Sequence, residues 1–211
     1  MQKAPFIAVA RHRINLDGDG VVTLACFGCC PLRCKYCINP QCFEERDSWQ
    51  TLTTEQLYEK TRIDELYFLA TGGGVTFGGG EPLLYSSYIS EFRGLCGDGW
   101  ALSVETSLNV REESVAELIP VLDHWIVDIK DTNREIYRSY TGRDNGQVLS
   151  NLRRLADSGQ AHKVTIRIPL IPNYNKEEDR QRSVRLLEEM GYKKFDLFDY
   201  VIREDRPLRY R

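Results

Sequence analysis

Six short apolar runs recur along the chain, each separated from the next by a stretch with helical spacing, and that alternation allows few folds. The runs cover residues 20–27, 74–77, 100–105, 124–130, 164–168 and 195–200; the first is rich in β-branched residues and ends at Gly28, and the second is β-branched and bounded by glycine on both sides. Helices are predicted between them over residues 53–64, 86–96, 111–119, 134–140, 148–158 and 177–190. Thr53-Thr-Glu-Gln56 has the form of a capping box, Pro120 stops the third helix, and Gly191 sits where a helix ends in a left-handed turn. Leu149, Leu152 and Leu155 recur every three residues, whereas residues 66–71 read equally as a helix end or an approach to a strand. Pro169 is expected to stop the fifth strand. Consecutive strand–helix–strand units cross over right-handed and build a parallel sheet. A closed barrel takes eight such units. Six imply an α/β fold, a partial (β/α)6 TIM-like barrel with one open side. No linker divides the chain, so residues 1–211 are expected to form a single domain. Ligands of such sheets bind at the carboxyl ends of the strands, and the distinctive stretches of this chain follow strands one to four.

The cysteines carry the first chemical signal. There are seven, and six of them (Cys26, Cys29, Cys30, Cys34, Cys37 and Cys42) fall within seventeen residues. A secreted disulfide scaffold would spread them out; crowding points to metal. Cys96, alone on a predicted helix, reads as a small buried hydrophobe. The apolar residues 6–10 are too few for a signal-peptide core, and no run reaches the ~20 residues of a membrane span. The chain is therefore expected to be cytoplasmic and not membrane-bound. A net charge of −3 argues against a nucleic-acid partner. Arg203, Arg206, Arg209 and Arg211, interleaved with Glu204 and Asp205, read as a solvated tail.

Within the cluster, Cys30, Cys34 and Cys37 follow C-x3-C-x2-C, with Tyr36 just before the last thiol. Three thiolates so close can grip three corners of an iron–sulfur cube and leave the fourth iron open. Tetrahedral zinc on Cys26, Cys29, Cys34 and Cys37 is the alternative, strained by the four-residue connector. About forty residues later comes Gly78-Gly79-Gly80-Glu81-Pro82 at a strand end. Glycines let a ligand approach bare backbone, and a carboxylate beside them can accept hydrogen bonds from an ammonium group.

Together these stretches resemble the radical S-adenosylmethionine (SAM) superfamily, and within it the glycyl-radical-enzyme activases, pyruvate formate-lyase activating enzymes in particular. Cys37-Ile-Asn-Pro40, Gly73 to Leu84, Val104-Glu-Thr-Ser107, Ile126-Val-Asp-Ile-Lys130, Tyr140-Thr-Gly142 and Ile166 to Pro172 follow that group's motifs in order. The resemblance implies that Cys30, Cys34 and Cys37 bind a [4Fe–4S] cluster whose open iron is chelated by SAM. It places Tyr36, Gly78, Gly79, Gly80 and Glu81 at the cofactor, with the glycine motif receiving its amino group. Lys130 and Arg167 would meet the cofactor carboxylate or ribose. Glu105, Thr106, Asp128 and the backbone at Ile126 would hold a monovalent cation. The implied reaction is reductive cleavage of SAM to methionine and a 5′-deoxyadenosyl radical, which abstracts a hydrogen. The implied partners are a glycyl radical enzyme and an electron donor such as flavodoxin or ferredoxin. The rival expectation is a small radical enzyme on a diffusible substrate or peptide, of the deazapurine-synthase kind; a third is a cluster module without turnover. Two departures stand out. Glu105 replaces an Asp, and no His lies near the C-terminus, where Tyr200 is the candidate substitute. Cys26, Cys29 and Cys42 read as packing thiols.

Overall fold

In the computed structural model, which describes residues 1–44, 48–200 and 202, eight strands form one sheet. They are β1 (Lys3–Ile14), β2 (Val21–Phe27), β3 (Gln50–Thr53), β4 (Gly74–Gly79), β5 (Ala101–Thr106), β6 (His124–Asp128), β7 (Val164–Leu170) and β8 (Lys194–Asp199). Seven α-helices accompany them: α1 (Thr54–Thr61), α2 (Glu65–Thr71), α3 (Ser86–Cys96), α4 (Glu112–Leu118), α5 (Arg134–Thr141), α6 (Gly146–Asp157) and α7 (Glu177–Glu189). The sheet order is β3-β1-β2-β4-β5-β6-β7-β8, and every pair from β2 to β8 is parallel. This is the expected partial TIM-like barrel, with six parallel strands. The basic tail from Arg203 onward lies outside the described residues.

Period-two alternation sorts the strand residues onto two faces. Val75, Phe77, Leu102, Val104, Trp125, Val127, Ile166 and Ile168 are fully buried in the apolar core. The intervening Thr76, Gly78, Ser103, Glu105, Asp128 and Arg167 lie on the opposite face. Gly78 adjoins the Glu105 side chain, and Gly18 packs against Thr76 and Ser103. On that inner face the polar side chains bond to one another and to the loop after β1. The loop after β1 closes its lower end, where the Asp17 carbonyl accepts from the Thr76 hydroxyl at 2.7 Å.

Two strands were not expected. β1 pairs antiparallel with β2 and β3 antiparallel with β1, forming an extra edge. Its sequence hides it: Pro5 and Arg11-His12-Arg13 break the apolar pattern, and two register shifts absorb the irregularity. His12 sits at φ 57° in the second of them. The Thr53/Gln56 capping box is present as predicted, and residues 65–71 resolve as helix. The fifth parallel strand runs through Pro169, against expectation. Main-chain groups of Arg167 and Pro169 face the same side, and β6 has ended at Asp128 opposite Arg167. No ladder bond is asked of the missing N–H.

Asp64, buried at the α2 start, ties β1 down. Arg11 bridges both its oxygens at 2.6 Å and His12 Nε2 lies 2.9 Å away. The Arg11 contact first, then His12, holds the Asp64 carboxyl below its ordinary range, against the cost of burial. Its stabilisation is therefore present above the ordinary carboxylate pKa of about 4 and fades as pH falls through the lowered folded value. Asp64→Asn is expected to lower the urea midpoint at pH 7. The gap to wild type should close near pH 2; a gap unchanged by pH would refute the linkage.

Candidate functional site

The cysteine loop leaves β2 at its carboxyl end and is bonded to the end of β4. Gly80 N–H donates to the Phe27 carbonyl at 2.9 Å, and Glu81 N–H to the Cys29 carbonyl at 2.8 Å. The approach is so close that a Cβ on Gly80 would lie 2.0 Å from the Cys29 oxygen. Cys29 itself is held at φ 62°, a left-handed conformation uncommon for a residue with a side chain. The other flank rests on the end of α5, where Arg33 and Lys35 N–H groups donate to the Thr141 and Tyr140 carbonyls (2.8 and 3.1 Å). The Tyr140-Thr-Gly142 stretch is thus the seat of the loop.

This clamping carries Cys30, Cys34 and Cys37, all partly buried and unbridged, over the strand ends. Burial pushes the Cys34 thiol up to about 12, against the attraction of the Lys130 ammonium. Cys37 is drawn down to about 7, first by contact with the Cys42 thiol and, against burial, by the Asn39 backbone. Cys26 stands apart on β2: burial, then Glu105 and Asp17, raise it to about 11. That placement removes it from a four-thiol zinc set. The trio is a soft donor set without oxygen ligands, which fits an iron–sulfur cluster. Among the described residues no three His, Cys, Asp or Glu converge on a single ion position.

Glu81 is buried and saturated. Its carboxylate accepts from Leu83 N–H (3.2 Å), the Thr106 hydroxyl (2.6 Å), and the Ser107 N–H and hydroxyl (2.9 and 2.6 Å). Burial raises its pKa in spite of these donors. The side chain braces the glycine turn against the β5 end.

Beside the turn lies a four-charge group. Arg167 sets its fork on Asp128 (2.8 and 3.0 Å) and reaches Glu105 at 2.9 Å, while Lys130 Nζ is 3.5 Å from Asp128. Burial opposes ionisation of both carboxylates, but the outcomes differ. Asp128, served by Lys130 and Arg167, is lowered; Glu105, with Arg167 alone and Asp128 and Asp17 nearby, is raised. Lys130 is raised because Asp128 and then Cys34 outweigh its burial. The expected monovalent cation does not fit these residues. Two carboxylates already face two cationic side chains, and the Thr106 hydroxyl is turned away to Glu81. Arg167 differs from expectation likewise, since its fork is spent on carboxylates.

Tyr200 comes to the site from beyond β8. Its hydroxyl donates to the Tyr36 carbonyl, and the rings of Tyr36, Tyr140 and Tyr174 gather beside it with centroids 5.0–6.1 Å apart. Two surface hollows, of about 380 and 480 Å³, lie at α7 and at the α4–α6 flank; neither is lined by the trio or the glycine turn. No helix among the described residues is long and apolar enough to cross a membrane.

The comparisons with known proteins agree with this geometry. The family described as "Radical SAM superfamily" matches residues 25–187. The (2S)-3-sulfopropanediol dehydratase activating enzyme of Klebsiella oxytoca is 35% identical over 68% of this chain, which spans only 46% of that protein. The pyruvate formate-lyase 1-activating enzyme of Escherichia coli is 30% identical over 88% of this chain and 76% of its own length. Among solved structures, Streptococcus suis SuiB superposes with a TM-score of 0.64 over 84% of this chain and 39% of that one. At 15% identity, it speaks for the fold alone.

Proposed function

Because this chain belongs to the radical SAM superfamily, we propose that Cys30, Cys34 and Cys37 hold its [4Fe–4S] cluster and the glycine turn receives SAM. When bound, that pair supplies one-electron cleavage of the sulfonium and a 5′-deoxyadenosyl radical. The chain's own part is placement. The observation that carries the reading is the pair of main-chain bonds from Gly80 to Phe27 and from Glu81 to Cys29. They fix the cysteine loop and the glycine turn side by side above parallel strand ends. Gly78, Gly79 and Gly80 accept the ammonium through main-chain oxygens, and Glu81 holds them rigid. Lys130, between Asp128 and Cys34, brings positive charge to the cofactor carboxylate. Tyr36 and Tyr200 form the adenine side, Tyr200 standing where a histidine was expected. Arg167 keeps Glu105 and Asp128 oriented, and with Lys130 it balances their two negative charges.

The substrate, on this reading, is a glycine α-hydrogen in a glycyl radical enzyme, with a low-potential donor of the flavodoxin or ferredoxin type in a reducing cytoplasm. Two features support an activase: relatives named as activating enzymes at 30–35% identity, and the open edge of a six-unit barrel, the side on which a partner loop would enter. The reconstituted protein should be mixed anaerobically with SAM, reductant and each glycyl radical enzyme encoded nearby. A glycyl doublet in the electron paramagnetic resonance spectrum is the expected result. SAM turnover with no protein radical on any candidate would contradict the activase reading and favour a diffusible substrate.

A further inference from the structure

Around the cysteine loop the cations are held differently from those elsewhere. Among the described residues most arginines sit in ion pairs with Asp or Glu, but Arg33, Arg138 and Arg143 do not, nor does Lys35. Arg33 donates instead to the Cys30 and Leu32 carbonyls (2.7 and 2.9 Å) and to that of Phe43 (3.3 Å). Arg143 Nε donates to the Pro31 carbonyl at 3.0 Å. A carbonyl satisfies a guanidinium's hydrogen bonds but leaves its charge standing. The loop and the end of α5 adjoin here, since a Cβ on Gly142 would stand 4.0 Å from that of Arg33. Lys35 lies between the second and third thiols, and its N–H bonds the Tyr140 carbonyl two residues from Arg138. All four cations are exposed. The carboxylates of the same stretches are Glu44, Glu135 and Asp144, and Asp144 is taken up by Arg134 and the Gly146 N–H. Ile38, directly after the third thiol, is 67% exposed. The chain as a whole carries a net charge of −3, so this positive rim is a local feature.

We propose that this rim of Arg33, Lys35, Arg138 and Arg143 is the surface on which the electron donor docks, and that the donor is an acidic one-electron carrier protein. The inference rests on the trio holding the cluster. Arg33 and Lys35 flank Cys34 in the chain, so a carrier seated on them is seated over the thiol loop. Redox encounters bury little surface and draw their rate from charge steering. Separate cations around an exposed apolar residue suit so brief a contact, and the same cations would repel a basic protein. The carrier gives one electron. Its anionic flavin hydroquinone is oxidised to the neutral semiquinone as the cluster is reduced by one electron, and no proton moves.

The test uses anaerobically reconstituted wild-type protein, Arg138→Glu, Lys35→Glu/Arg138→Glu, and the control Arg153→Glu/Arg185→Glu. The control changes the net charge equally, at exposed arginines on α6 and α7. Binding of an oxidised acidic flavodoxin is measured by calorimetry at low and high salt, with no electron transferred. Wild type is expected to bind at low salt and to lose affinity as salt rises. The double reversal should weaken binding about tenfold and flatten the salt dependence, while the control stays within about twofold of wild type. Arg138→Glu, which leaves the cysteine loop untouched, should fall between wild type and the double reversal. Cluster reduction, followed by visible absorbance, should slow in the same order with reduced flavodoxin and stay unchanged with photoreduced deazaflavin. No binding by wild type, affinity independent of salt, or equal weakening in the control would overturn the inference alone. Wild-type protein that takes up no cluster would instead overturn the assignment of the trio, and this inference with it.

Discussion

Cys34→Ala is expected to leave a folded protein that neither retains a cluster nor cleaves SAM. Cys34 is the middle thiol of the loop, the one that burial raises to about 12, and it faces the Lys130 ammonium. Loss of an outer-shell partner costs roughly 10–100-fold in metal affinity, so loss of a ligand should exceed about 100-fold. Iron analysis and the broad visible absorbance of reconstituted protein read this directly. The fold should survive, because Cys34 contributes a side chain to the rim of the core and no main-chain bond depends on its sulfur. A variant with full iron content would remove Cys34 from the ligand set.

The second large effect falls on backbone. Gly80→Ala places a methyl 2.0 Å from the Cys29 carbonyl oxygen, and neither partner is the tip of a flexible side chain. To make room, the Gly80–Phe27 and Glu81–Cys29 bonds must lengthen together, separating the cysteine loop from the glycine turn. A cost on the order of 3 kcal/mol is expected. For a domain of this size that corresponds to a fall in melting temperature of roughly 6–12 °C. SAM affinity should fall with it, since both halves of the site move. Gly94→Ala, at a position with nothing within 4 Å of the added methyl, is the matched control and should be at least as stable as wild type. Similar melting temperatures for the two variants would show that the close approach does not constrain the loop.

Much of the fold could be read from the chain because its parallel strands are buried by helices and carry short apolar runs, as β4, β5, β6 and β7 do. β1 could not be read that way. It pairs antiparallel on both sides and carries Pro5, a bulge at His12 and three basic residues, so its burial alternates poorly. Pro169 misled for a related reason: whether a proline breaks a strand depends on where the neighbouring strand ends, which is a tertiary fact. At the site, spacing identified the trio and the glycine run, whose chemistry is local. It said nothing of how Glu81 would be used, because saturation by Thr106, Ser107 and Leu83 requires the β5 end to arrive beside it. Arg167 was placed on the correct strand but aimed at the wrong partner. From sequence alone, Glu105 and Asp128 were not known to converge on one guanidinium.

The central claim is that this loop and this turn together cleave SAM, and one assay meets it head on. Anaerobically reconstituted protein, given SAM and a strong one-electron reductant, is analysed for 5′-deoxyadenosine by chromatography. The account predicts deoxyadenosine and methionine in equal amounts, formed only by protein that carries the cluster and not by Cys34→Ala. Cluster-loaded protein that returns its SAM intact under reducing conditions would contradict it.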